Sequence, residues 1–216
     1  YDAILDVFTN PYDPNNNDKY LVCDVARYGR DKTVITLWEG LKCYSIKQYT
    51  QQGLDTTREV IRNIAWEEKI PYSRILVDED GVGSGIIDEM RGIKGFMANR
   101  VPLNNNTTHK PDNFPNLKTQ CAYLLADYIN ERKICVIIED EKIKAELIEE
   151  LEQIKSKDAD KDGKRKIIEK DKVKELIGRS PDLSDCLLMR MWFELNKSGK
   201  STIKNNYKAP QSYFRR

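Results

Sequence analysis

Four aspartates stand where a folded chain can bring carboxylates together. Asp24 closes the apolar run Tyr20-Leu21-Val22-Cys23, and Asp78 closes Ile75-Leu76-Val77. Asp182 and Asp185 lie three residues apart at the head of a segment whose apolar residues are Leu183, Leu187, Leu188, Trp192 and Phe193. That spacing puts both on one side of a helix. Asp185 sits among the apolar residues Leu183, Cys186 and Leu187, where a carboxylate is costly unless it is paired or coordinated. Each acid alone has a bland alternative: a strand-end Asp starts a turn, and an acid in a first helical turn suits the helix dipole. Taken together, acids from two strand ends and one helix make an oxygen-only set, which suits magnesium or manganese. Two such ions about 4 Å apart activate a water and stabilise the leaving oxygen in phosphodiester hydrolysis. Carboxylates gathered in this way without metal repel one another, which should raise at least one pKa.

Other chemistries are excluded by composition. His109 is the only histidine, and the five cysteines at 23, 43, 121, 135 and 186 contain no C-x-x-C pair. Zinc sites rich in His or Cys and a Ser-His triad therefore lack their parts. The glycines Gly81, Gly83 and Gly85 have the wrong spacing for a dinucleotide fingerprint, and no Gly-Lys-Ser/Thr follows. They are expected to let the backbone turn tightly beside the acids. The odd cysteine count and apolar surroundings point to reduced core thiols. No run approaches the roughly 18 apolar residues of a membrane span. The chain opens on Tyr1 without a methionine, as expected of a fragment or a processed chain.

The elements that must position the acids can be read from period and punctuation. Residues 9–18 are turn-rich. Strands are expected at about 19–24, 33–39 and 42–49, followed by a helix capped by Asp55-Thr56-Thr57, with Val60, Ile61, Ile64 and Ala65 on one face. A short strand runs from Arg74 to Val77, and the glycine turn opens a helix carrying Ile86, Ile87 and Met90. Residues 99–116 form a long polar loop of the kind that carries function. A helix over Leu117 to Glu131, a short strand at 134–138 and a helix from Lys142 to Glu150 follow. Two strand-like runs around Asp160-Lys161-Asp162-Gly163 make a β-hairpin. A short helix follows at 171–177. Ser180 caps and Pro181 opens the last helix. The pattern is α/β, a mixed sheet flanked by helices.

The net charge is only +1 with 33% charged residues, so a nucleic-acid surface must be local. Lys155, Lys157, Lys161, Lys164, Arg165 and Lys166 crowd the hairpin, where alternate residues share a face. The structural alternative is a solvated hairpin whose lysines protect an edge from aggregation.

Four stretches together resemble the nuclease domain of the large terminase subunit of tailed bacteriophages, a ribonuclease H-like fold. They are "VCDVARYGRDKTVITLWEG", "ILVDEDGVGSGIIDEM", the segment around Phe114-Pro115-Asn116-Leu117, and "KRKIIEKDKVKELIGRSPDLSDCLLM". The resemblance spans residues 19 to about 195. It implies a ribonuclease H-like mixed β-sheet flanked by helices, with the hairpin as an addition. It implies a metal-dependent endodeoxyribonuclease that uses Mg2+ or Mn2+, with two ions, to cut concatemeric double-stranded DNA. Asp24, Asp78 and Asp185 fall on the family's catalytic, metal-binding acids. Asp182 is a further candidate ligand, Asp80 is a rival to Asp78, and Asp31 is placed behind the ligands to orient water. Lys164, Arg165, Lys166, Lys170 and Arg179 are the candidate DNA contacts. The division implied is a connector at 1–18 from an ATPase domain outside this chain, a nuclease domain at 19–196, and a polar basic tail at 197–216. The small terminase subunit and the portal would be partners of the full-length protein, in the cytoplasm of the infected bacterial host. A Holliday-junction resolvase, an RNA/DNA hybrid nuclease and a non-catalytic DNA- or portal-binding module remain alternatives.

Overall fold

The computed structural model describes residues 1–11, 18–26, 32–80, 83–103, 114–157, 163 and 165–198. Strands β1 (Lys19–Asp24), β2 (Thr33–Glu39) and β3 (Lys42–Tyr49) form an antiparallel meander. On its other edge β1 pairs in parallel with β4 (Ile75–Asp78), and β4 with β5 (Lys94–Phe96). Strand β6 (Cys135–Val136) joins β3 in parallel and completes a six-stranded mixed sheet in the order β5-β4-β1-β2-β3-β6.

The strands nearest the centre are buried on both faces, which explains their nearly continuous apolar runs. The two-residue period sorts them. Tyr20, Val22, Val34, Trp38 and Leu76 point into one core, and Leu21, Cys23, Ile35, Leu37, Ile75 and Val77 into the other. The second face is covered by α2 (Leu54–Glu67) and α3 (Gly83–Glu89). The first is covered by α4 (Leu117–Asn130), α5 (Glu141–Glu152) and α7 (Asp182–Ser198). Helix α1 (Asp2–Asp6), within the stretch read as a connector, packs on α4 and α5, and the adjoining Val7 is wholly buried. Helix α6 (Lys170–Ile177) ends at Gly178 in the left-handed region.

Between α5 and α6, β7 (Ser156–Lys157) pairs antiparallel with β8 (Lys166–Ile167), so the expected hairpin forms, with Lys157 opposite Lys166. Its residues 158–162 and 164 lie outside the described residues, as do Asp31, His109 with its loop segment 104–113, Gly81, and 199–216 of the tail. All five cysteines are free and buried. Cys186 sets α7 on the sheet, its thiol donating to the Val34 carbonyl at 3.3 Å.

Two caps differ from expectation. Helix α2 starts at Leu54 after Gly53, with no side-chain cap, so Asp55 lies inside its first turn. At α7, the Ser184 hydroxyl donates to the Pro181 carbonyl, and the Ser184 amide is met from another helix.

Gly83 shows why the turn after β4 needs glycine. A methyl there would lie 1.7 Å from the Asp78 carbonyl oxygen and 2.9 Å from its carbon, both backbone atoms that cannot step aside. Gly83→Ala is expected to force α3 away from the end of β4, costing about 1–3 kcal/mol by overpacking. A urea titration measures this. A stability equal to wild type would show that the two elements do not need this contact.

Candidate active site

Register brings the first two acids together. Cys23 stands opposite Val77 in the parallel β1–β4 pair, so Asp24 and Asp78 follow side by side at the carboxyl ends of both strands. Such ends are where open α/β sheets bind ligands. The period decides their face: Asp24 continues the side of Tyr20 and Val22, and Asp78 that of Leu76, which is the side α7 covers. Asp24 lies opposite Val34 in the β1–β2 ladder, and Cys186 holds α7 to that same Val34. The first turns of α7 therefore deliver Asp182 and Asp185 to the two strand ends. Asp24, Asp182 and Asp185 are all less than a tenth exposed.

Two lysines complete the cluster. Lys170, at the start of α6, donates to Asp185 Oδ2 at 2.6 Å and lies 3.9 Å from Asp182 Oδ1. Lys118, at the start of α4, donates to Asp185 Oδ1 at 2.7 Å. Asp182 Oδ2 accepts the Lys32 amide at 3.3 Å. Asp78 Oδ1 accepts the Asp80 amide at 3.1 Å, while exposed Asp80 uses its Oδ2 to receive the Ala98 amide at 2.8 Å. Asp78 and Asp80 thus divide their work: Asp78 faces the cluster, and Asp80 ties the end of β4 to the chain after β5. A cleft lined by Asp78, Asp80, Lys118, Lys170 and Asp185 has a volume of about 240 Å³.

The charges follow from this geometry. Burial drives the Asp24 carboxyl well above the usual range; Lys170 pulls it down, and Asp185, Asp182 and Asp78 push it back up. Asp78 rises to about 6, chiefly by burial, against the stabilising Asp80 amide and with further repulsion from Asp80 and Asp185. Repulsion among the acids is thus present but secondary to desolvation. For Asp185 burial also acts upward, yet Lys118 and Lys170 outweigh it and hold its pKa below normal. Lys170 moves against its own burial, held charged by Asp185 and Asp24.

Among the described residues no group of three acidic, His or Cys side chains is drawn together tightly enough to hold an ion as it stands. Lysine ammonium groups bind the carboxylates in this arrangement. The donors nevertheless fit a divalent cation that prefers oxygen. They are all carboxylate oxygens, and Asp24 Oδ2 is buried with no hydrogen-bond partner, a cost that coordination would remove.

The candidate DNA contacts separate into two groups. Lys170 is in the cluster. Arg165 lies over the Tyr123 ring at 5.5 Å, and the carbonyl of Lys166 accepts the Tyr123 hydroxyl at 3.4 Å, so both hairpin residues sit on α4. The hairpin's Ile167 and Ile168 share a small cavity with Lys118, Lys170 and Asp185. Arg179 turns the other way: it donates to Glu149 Oε2 at 2.7 Å and to the Glu146 carbonyl at 2.9 Å, and lies 3.5 Å from Glu150 Oε1.

Two residues of the site escape a sequence reading, Lys118 and Glu150. Lys118 left one clue, since a lysine in a first helical turn opposes the dipole and calls for an anionic partner. Glu150 is 2% exposed, accepts the Ser184 amide at 2.8 Å, and is pushed to about 8 by burial, against the Ser184 amide and Arg179.

No family model and no curated protein sequence matches the chain. Solved structures do. The nuclease domain of the large terminase subunit gp2 of bacterial virus Sf6 aligns with a TM-score of 0.74 at 21% identity, over 88% of this chain and 95% of that one. A point mutant of that domain with manganese and β-thujaplicinol aligns with the same TM-score at 20% identity, again over 88% and 95%. The large terminase nuclease of thermophilic phage G20c with bound magnesium aligns with a TM-score of 0.50 at 16% identity, over 83% and 82%. The chain thus has the fold of the phage terminase nuclease domains, the α/β mixed sheet that its motifs imply.

Proposed function

We propose that this chain is the nuclease of a phage DNA-packaging terminase, a magnesium- or manganese-dependent endonuclease that hydrolyses phosphodiester bonds of double-stranded DNA. The observation that carries this proposal is the meeting of Asp24, Asp78, Asp182 and Asp185 from two parallel strand ends and one helix, with Asp24 Oδ2 buried and unpartnered. Structures of the same fold determined with manganese or with magnesium support the choice of metal. Asp24, Asp78 and Asp185 would hold the metal, two ions in the full site, with Asp182 as an added ligand. Bound there, divalent ions supply the charge that activates water and stabilises the leaving oxygen. Lys170 holds Asp185 Oδ2, an oxygen such a cation would compete for, so with metal bound its ammonium would be released to meet an incoming phosphate. Lys118 would stay on Asp185 Oδ1 and fix the direction of that carboxylate. In the complete terminase the substrate would be concatemeric viral DNA in the host cytoplasm, with the small subunit and portal as partners. No helix among the described residues is long and apolar enough to cross a membrane.

The test is cleavage of plasmid, RNA/DNA hybrid and four-way junction in magnesium, manganese or chelator. Cutting of plasmid only with metal is expected. A marked preference for the hybrid or the junction would move the assignment to a sister activity of the same fold. Metal-independent cutting, or none on any substrate, would overturn it.

The hairpin gives a separate expectation. Its Arg165 and Lys166 rest on α4 and adjoin Ile167, which shares a cavity with Lys118, Lys170 and Asp185, and on this reading DNA reaching the acids would pass them. Changing Lys164, Arg165 and Lys166 to Ala should weaken DNA binding and lower its salt slope by about one unit per lost phosphate contact, at unchanged manganese affinity. An unchanged slope would make the hairpin a solvated surface feature.

A further inference from the structure

Glu150 sits under the first turn of α7, and its burial is not explained by α5 itself. One of its oxygens accepts the Ser184 amide at 2.8 Å; the other lies 3.5 Å from Arg179 Nη2. Arg179 is in turn fastened to α5 through Glu149 Oε2 and the Glu146 carbonyl. The segment from Arg179 to Ser184 is therefore gripped at both ends by α5, and Asp182 lies between the grips, with Asp185 next after them. Glu150 lines both the cavity that contains Asp182 and the one that contains Asp185. A local Ser, Thr or Asn cap would satisfy a first-turn amide without burying an acid. Here the residue before α7 is Pro181, which has no side-chain oxygen to offer, and the Ser184 amide is met from a different helix. Such a cap fixes more than helix ends: it fixes where α7 begins relative to α5, and so how deep its two aspartates reach toward Asp24 and Asp78.

We infer that Glu150, braced by Arg179, is a positioning residue that sets Asp182 and Asp185 at the distance from the strand ends that metal binding requires. The inference rests on the proposed nuclease function. Arg179 then acts through Glu150 and not as a phosphate contact, which separates it from the hairpin cations. Outer partners of metal ligands typically carry 10–100-fold in metal affinity or activity.

The experiment measures manganese affinity without DNA, by calorimetry, and single-turnover plasmid cleavage, for wild type, Glu150→Gln, Glu150→Leu and Arg179→Met. DNA affinity is measured in chelator. Glu150→Gln keeps an oxygen for the Ser184 amide and should stay within about threefold of wild type, whereas Glu150→Leu should weaken manganese binding about tenfold or more and slow cleavage in parallel. Arg179→Met should weaken manganese binding in the absence of DNA and leave DNA affinity in chelator unchanged. Should Glu150→Leu fail to fold, the Arg179→Met and Glu150→Gln results decide alone. A folded Glu150→Leu that binds manganese like wild type, a Glu150→Gln as weak as the leucine variant, or an Arg179→Met that loses only DNA affinity would each overturn the inference. A wild type that binds no manganese would overturn the nuclease assignment itself.

Discussion

Asp185→Asn is expected to abolish cleavage and, in metal-free protein, to lower stability. The first effect follows from position: Asp185 meets Asp24 and Asp78 from the opposite element, and asparagine offers a metal no charge. Losing mere outer partners costs roughly 10–100-fold, so loss of a ligand should exceed that range. The second effect reverses what the sequence alone suggests. Removing one of several clustered negative charges ought to relieve repulsion and leave the fold intact or slightly more stable. But Asp185 is the acid that both Lys118 and Lys170 hold, at 2.7 and 2.6 Å, and its pKa is lowered, not raised. Its charge is stabilising where it stands. Asparagine would leave two half-buried ammonium groups short of an anion, and hydrogen bonds to charged groups carry roughly 1.5–3 kcal/mol. Urea titration in chelator and plasmid cleavage in manganese measure the two effects. Wild-type cleavage by the variant would make Asp185 structural and shift the assignment to Asp182.

The second large effect is a reversal of pH dependence by metal. Asp78 titrates near 6 in the folded chain against an ordinary 3.8, and Asp24 moves in the same direction. Between those two values the native state holds a proton that the unfolded state has released. Unfolding then sheds protons, so stability falls as pH rises through this window. The Asp78 contribution is fully present below about 3.8 and gone above about 6. Asp185 works the other way, its pairing lost only as pH falls below the ordinary carboxyl range, so it does not mask the Asp78 window. Metal needs both carboxylates ionised, and each displaced proton makes affinity fall about tenfold per pH unit below its pKa. In chelator the melting temperature should therefore drop between about pH 4 and about pH 6 on account of this site. The rise in melting temperature caused by manganese should be larger near pH 7.5 than near pH 5. An equal rise at both pH values would place manganese away from Asp24 and Asp78.

Much of this site was legible in the sequence because it depends on period and on element ends. Tyr20 to Cys23 and Ile75 to Val77 are short apolar runs, each stopped by an acid, and period two then decides that both acids face α7. The same logic missed β5, since Lys94-Gly95-Phe96 is three residues long and carries an exposed lysine and a glycine. It also missed Val7, which is buried by α4 and α5, elements far along the chain. The lysines and the glutamate around the acids were illegible for a related reason. Lys118 and Asp185 are 67 residues apart, and Glu150 and Ser184 are 34 apart. No local pattern records such a meeting. The misread caps have one cause: a side chain that can cap was taken as one that does, whereas Gly53 opens α2 bare and a glutamate from α5 serves α7.

The two cysteines beside the acids bear on which metals the site would refuse. Cys23 precedes Asp24 and Cys186 follows Asp185, so sulfur is adjacent in sequence to two of the four carboxylates. Strand alternation turns Cys23 to the opposite core, and Cys186 is pressed onto the sheet with its thiol given to Val34. Burial pushes both thiols far above their ordinary pKa. Thiolate is the form that captures soft ions such as cadmium, and it is the form these residues are denied. The fold thus keeps two soft donors within a residue of the site and withholds both. Cadmium arriving there would find only carboxylate oxygens, the ligand type that suits magnesium and manganese, and no thiolate to favour it.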